Sequence, residues 1–142
     1  MDVIRRNTDY ALRMAVVLAG RFGREPVPTK QLADRQDIPY QLACKLLQRL
    51  HNAGIVKSSM GPAGGFALYR TPSKINIRQV VEAVQGPIFL NRCLSDKNLC
   101  RFSRRCVISP GLSRLQKKIN SFLEGLTLHQ LSISSGHKRS KK

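Results

Sequence analysis

The sequence has no tryptophan and few aromatic residues of any kind, three Tyr and five Phe in 142 residues. Aliphatic side chains must therefore fill the core, and a hydrophobic content of 42% is enough to build one. Acidic residues are also scarce. Eight Asp and Glu face 25 Lys and Arg, for a net charge of +17. An excess of this size points to a polyanion: DNA, RNA or an acidic membrane surface. Long apolar runs are missing, and no stretch approaches the roughly 18 apolar residues of a membrane span. Met1-Asp-Val-Ile-Arg-Arg6 lacks the apolar centre of an export signal. The expectation is a cytoplasmic protein with no membrane partner. Enzyme signatures are missing too. No nucleophile is paired with a base, and no G-x-x-x-x-G-K loop cradles phosphates. There are no internal repeats.

The length fits one domain, or one small domain with an extension. The end of the chain, Gly136-His-Lys-Arg-Ser-Lys-Lys142, carries four positive charges and reads as a disordered basic tail. Without it the rest still holds +13, so the folded part is itself basic.

Asn7 or Thr8 can cap a first helix, with Asp9 in its first turn. Ala11, Leu12, Ala15, Val16, Leu18 and Ala19 give that helix a broad apolar face. Gly20 and Gly23 end it, and Pro26-Val-Pro28 is a break. Thr29 to Gln36 reads as a short helix capped by Thr29. Asp37-Ile38-Pro39 is a tight turn. A third helix follows from about Tyr40 to Asn52, with Leu42, Ala43, Leu46, Leu47 and Leu50 inward. Its outer face offers Gln41, Cys44, Lys45, Gln48 and Arg49. Two helices joined by a short turn, the second polar and basic outside, form a helix–turn–helix pattern. Ile55–Ser59 and Phe66–Tyr69 read as strands around the turn Met60-Gly-Pro-Ala-Gly-Gly65. The sum is mainly α: a winged helix–turn–helix with a two-stranded β wing, expected to bind double-stranded DNA. Thr29, Tyr40, Gln41 and Lys45 are candidates for the groove. Arg49, Lys57 and Arg70 are candidates for phosphates, and Gly61, Pro62, Gly64 and Gly65 for a wing tip close to the backbone.

A helix from Ile77 to Val84 turns Val80, Val81 and Val84 inward, and Gly86-Pro87 stops it. Pro110 begins a long C-terminal helix. Leu112, Leu115, Ile119, Phe122 and Leu126 recur at 3, 4, 3, 4 and predict a seam against a second copy of the chain. Leu128 to Ile133 is a short segment able to fold back onto that helix.

Between these helices lie three of the four cysteines, Cys93, Cys100 and Cys106, with six and then five residues between them. Arg101, Arg104 and Arg105 crowd the second and third, which favours thiolate. Zinc wants four ligands, most often with a close Cys pair. Iron–sulfur clusters also want four, and thiolate suits iron. Spacing leaves open a cluster, a thiol–disulfide switch, zinc, or three unliganded thiols. By position alone Asp9 is a helix N-terminal charge and Cys44 a small packing residue. His51, His129 and His137 lack ligand spacing with the cysteines.

From about Asn7 to Leu131 the chain resembles the superfamily of iron–sulfur-dependent winged-helix regulators that includes IscR and the nitric-oxide-sensing repressor NsrR. Thr8-Asp-Tyr-Ala-Leu-Arg13, Ile38-Pro-Tyr40, Gly61-Pro-Ala-Gly-Gly-Phe66 and the three-cysteine loop carry the resemblance. It implies a homodimeric transcriptional repressor with a long C-terminal dimerisation helix. It implies an iron–sulfur cluster, four-iron rather than two-iron and lost from protein handled in air, held by Cys93, Cys100, Cys106 and a fourth ligand. IscR-like members place a His three residues after the third Cys, where this chain has Ser109. They also carry a DNA-reading Glu where it has Cys44. NsrR-like members use an Asp early in the first helix of the other subunit, and Asp9 matches that position. The resemblance therefore implies the NsrR-like branch, with nitric oxide, redox state or iron supply as signal. The rival is a DNA-binding regulator that reads redox state through its thiols alone. The expected organisation is a DNA-binding domain over 1–72, a connecting helix and cysteine loop over 73–109, a dimerisation helix over 110–134 and a tail over 135–142.

Overall fold

The computed structural model describes residues 2–139, with side chains placed through Ser134. Helix α1 (Arg6–Gly20) is the centre of the core and buries Thr8, Ala11, Met14, Ala15, Leu18 and Ala19. Neither Asn7 nor Thr8 caps it. The N-cap is Arg5, which makes no side-chain bond. Thr8 is fully buried, and its hydroxyl donates to Gln85 Oε1 at 2.7 Å. A buried hydroxyl must find a partner, and here a tertiary partner displaces the local cap.

Helix α2 (Thr29–Gln36) starts after Pro28, so Thr29 is its first residue rather than its cap. Asp37 turns the chain in the left-handed region, φ 54°. Ile38 is buried, and α3 (Tyr40–Asn52) follows with Ala43, Leu46, Leu47 and Leu50 inward. Strands β1 (Val56–Ser59) and β2 (Gly65–Leu68) form the antiparallel wing, in register Val56↔Leu68 through Ser59↔Gly65. Val27 adds a bridge to Phe66, with both backbone bonds at 2.9 Å. The Pro26-Val-Pro28 break thus doubles as a third sheet position.

Helix α4 (Ile77–Gln85) opens with a capping box, Asn76 with Gln79, and ends at Gly86. The cysteine loop contains a single turn, α5 (Arg92–Ser95), and a 3-10 turn at Lys97–Leu99. Helix α6 (Ser109–Gly125) packs on α4. Helix α7 (Leu128–Arg139) packs on α1 rather than folding back along α6. The cause is Leu128. It is fully buried, its N–H donates to Ile75 O at 2.9 Å, and burying such a side chain stabilises by about 2 kcal/mol. The helix also runs to Arg139, into the span read as a disordered tail. Residues 140–142 lie outside the described residues.

The predicted seam on α6 is split. Gln116 is buried, and Asn120 and Leu123 are partly covered, so these three mark the inward face. Leu115 is 48% and Phe122 70% exposed, while Leu112 and Ile119 flank them half-buried. Leu126 is drawn toward the monomer core instead. It caps α6 in extended conformation, packs on the core, and its carbonyl accepts the Ile77 N–H at 2.8 Å. Two heptads do not outlast the helix, so the last apolar position goes to the monomer core.

Candidate nucleic-acid interface and cysteine loop

On α3, the residues Tyr40, Gln41, Lys45 and Gln48 are exposed along one side. Cys44 is half-buried beneath them, and its hydrogen bond to the Tyr40 hydroxyl raises that phenol above its ordinary value of 10.0. Arg49 is exposed but partly committed, since its Nη1 donates to Val84 O at 2.9 Å. Lys57 is exposed on β1, and Arg70 is half-buried. Thr29 sits half-buried at the α2 N-terminus.

The wing glycines divide into two kinds. Gly61 and Pro62 are exposed at the tip beside Met60, which is 97% exposed. Gly64 and Gly65 serve the turn itself. A Cβ on Gly64 would meet Ser59 O at 2.2 Å, and one on Gly65 would meet Val27 O at 2.3 Å. Their first role is close backbone packing, which lets the wing fold down on Val27.

Cys93, Cys100 and Cys106 are all free and half-buried. No residue from Phe89 to Leu115 is buried, and the hydrogen bonds within the loop are all local. Among the described residues, the loop's hydrogen bonds to the rest of the fold lie at its start. There the buried Gln116 accepts from Leu90 N–H at 2.8 Å and donates to Ile88 O at 2.8 Å. Among the described residues, no three His, Cys, Asp or Glu side chains converge as a metal-binding group. Asp9 lies apart, 56% exposed, paired with Arg13 at 3.1 Å. Arg13 also stacks over Tyr10 at 5.0 Å and donates to the Gln36 carbonyl at 3.4 Å, at the end of α2. The chemistry of the loop's donors, three free and soft sulfurs, fits a thiolate-held cluster.

Sequence reasoning missed Gln85 and Gln116. Gln85 accepts from Thr8 and from Arg5 N–H at 3.0 Å, and donates to Val3 O at 2.9 Å. Both glutamines look like ordinary polar helix residues, and only the contacts across the fold reveal their work.

A helix–turn–helix whose second helix shows a polar, basic face beside a glycine-turned β wing defines a winged-helix DNA-binding protein. The profile described as "Rrf2: Iron-dependent Transcriptional regulator" matches residues 4–133, and the chain belongs to the Rrf2 family of transcriptional regulators, not to an enzyme family. It is similar to the HTH-type transcriptional regulator IscR of Yersinia pseudotuberculosis serotype O:1b (strain IP 31758), 34% identical over 86% of this chain and 74% of the relative. The IscR of Aliivibrio salmonicida (strain LFI1238) is 30% identical over 89% of this chain and 74% of the relative. Among solved structures, CymR, the global cysteine regulator of B. subtilis, superposes with a TM-score of 0.77 at 26% identity. That match covers 94% of this chain and 98% of CymR. No helix among the described residues is long and apolar enough to cross a membrane.

Proposed function

We propose that this chain is a cytoplasmic, homodimeric repressor whose operator binding is governed by an iron–sulfur cluster held by Cys93, Cys100, Cys106 and Asp9 of the second subunit. The observation that carries the reading is the loop itself: three free thiols on a segment with no core of its own, joined through Gln116 to α6. When bound, a cluster (four-iron in preference to two-iron) supplies a centre sensitive to nitric oxide, oxidants and iron supply. With Asp9 rather than a His at Ser109, the ligand set follows the NsrR-like branch.

Through Asp9, the proposed fourth ligand, the cluster would reach the DNA-binding helices. Asp9 holds Arg13, and Arg13 reaches the Gln36 carbonyl beside the turn between α2 and α3. Engaging the Asp9 carboxylate elsewhere frees Arg13 and changes its hold on that turn. The exposed Leu115 and Phe122, with Leu112 and Ile119, form the face for the second subunit. In such a dimer the two α3 helices enter major grooves about 34 Å apart on a pseudo-palindromic operator. Gln41 and Lys45 approach base edges, Lys57 approaches phosphates, and the Gly61-Pro62 tip lies along the backbone.

Anaerobic reconstitution with iron and sulfide tests the proposal. Bound iron should fall at least several-fold in Cys93→Ala, and equal iron in both proteins sinks it. The rival, a regulator that reads redox state through its thiols without metal, is equally consistent with the similarity to CymR. Mass spectrometry of the oxidised protein decides that point, since the rival predicts a loop disulfide without stoichiometric iron.

A further inference from the structure

Three arginines meet where α4 ends. Arg5, Arg6 and Arg49 line one pocket of about 270 Å³ together with Thr8, Val84 and Gln85. No carboxylate lines it. The nearest acidic residues on these elements are already used: Asp9 pairs with Arg13, and Glu82 with Arg78. Among the described residues, Arg5, Arg6 and Arg49 belong to no ion pair. Three like charges gathered at one concavity repel each other, and an anion of matching size removes that repulsion.

The pocket is also built rather than incidental. Arg49 is tethered by its Nη1 bond to Val84 O, and among the described residues its other guanidinium N–H groups have no protein partner. Gln85 clamps the opposite wall by bonding Val3 O, Arg5 N–H and the buried Thr8 hydroxyl at once. Arg5 and Arg6 thus hang from an anchored backbone. One tethered guanidinium beside two on an anchored backbone is suited to phosphate oxygens, which can accept two N–H bonds from a guanidinium.

We propose that this pocket binds a phosphate group, from the DNA backbone or from a free phosphate-bearing molecule. The first source rests on the DNA binding of the family, and the second does not. The test uses the full-length chain, isotopically labelled, titrated with inorganic phosphate against chloride at matched ionic strength. Arg5 and Arg6 are exposed and helix-compatible, so Arg5→Gln/Arg6→Gln leaves the fold intact, which its amide spectrum reports directly. Saturable shifts at the Arg6, Asn7 and Thr8 amides are expected, at least tenfold weaker in the double variant. Operator affinity as a function of salt then separates the sources. A salt slope shallower by about one unit per lost phosphate contact, with phosphate competing against DNA, assigns the site to the backbone. Phosphate binding with an unchanged slope assigns it to a free ligand. Absence of saturable shifts at these amides, or shifts equal in the double variant, overturns the proposal whatever the DNA result.

Discussion

Gln116→Leu tests how the cysteine loop is held to α6. Gln116 is only 7% exposed and makes three hydrogen bonds: from Leu90 N–H, to Ile88 O, and to Asn120 Oδ1 at 3.1 Å. Each contributes about 1 kcal/mol net, and orphaning the Leu90 and Ile88 backbone groups adds to the loss. The leucine side chain returns about 1 kcal/mol through apolar burial. The balance is a loss of about 2 kcal/mol, on the order of 6 °C in Tm for a domain of this size. Gln116→Glu keeps the acceptor for Leu90 but turns an oxygen against the Ile88 carbonyl, so it costs at least as much. The assay is urea unfolding by far-UV circular dichroism at fixed protein concentration, with amide exchange at Leu90 as the local readout. Changes below about 0.5 kcal/mol in both variants, with Leu90 exchange unaltered, refute the staple.

Gly65→Ala drives a Cβ into the Val27 backbone and should cost about 3 kcal/mol in the same unfolding assay. Gly111→Ala, in open space on α6, should stabilise by about 0.5 kcal/mol and serves as control. Asp9→Ala breaks an exposed pair and should move stability by less than about 0.5 kcal/mol, while lowering iron retained after anaerobic reconstitution. An iron content equal to wild type removes Asp9 from the ligand set. Tyr40 should titrate above 10.0 in ultraviolet difference spectra, because the Cys44 bond favours the neutral phenol. The stability it adds is present below the ordinary tyrosine value and is lost as pH rises through the raised one. Cys44→Ala should return Tyr40 to its ordinary midpoint, and an unmoved midpoint contradicts the bond.

The helix–turn–helix was legible because its signals are local. Apolar positions of α3 recur at three and four residues, Asp37-Ile38-Pro39 can only turn, and the Gly-rich run needs a hairpin. What the sequence hid depends on distant partners. Thr8 looks like a cap until Gln85 claims its hydroxyl. Leu126 continues a perfect 3-4 seam, yet Ile77 takes its carbonyl and the core takes its side chain. Leu128 heads a segment read as folding back onto the last helix, yet its side chain is buried in the core and its N–H goes to Ile75. The crowding of Gly64 by Ser59 and of Gly65 by Val27 was also hidden, because it arises across the turn and from the Val27 bridge. In the cysteine loop the residue types were plain. Among the described residues these side chains do not converge as a metal-binding group, no periodic element sets their spacing, and the proposed fourth ligand belongs to another chain.

The central claim is that the cysteine loop governs operator binding. The most direct measurement is the operator affinity of anaerobically reconstituted protein before and after stoichiometric nitric oxide, with a Cys93→Ala/Cys100→Ala/Cys106→Ala variant alongside. The account predicts at least a tenfold loss of affinity on nitric oxide treatment, and a variant that binds weakly and does not respond. Equal affinity in all samples contradicts it.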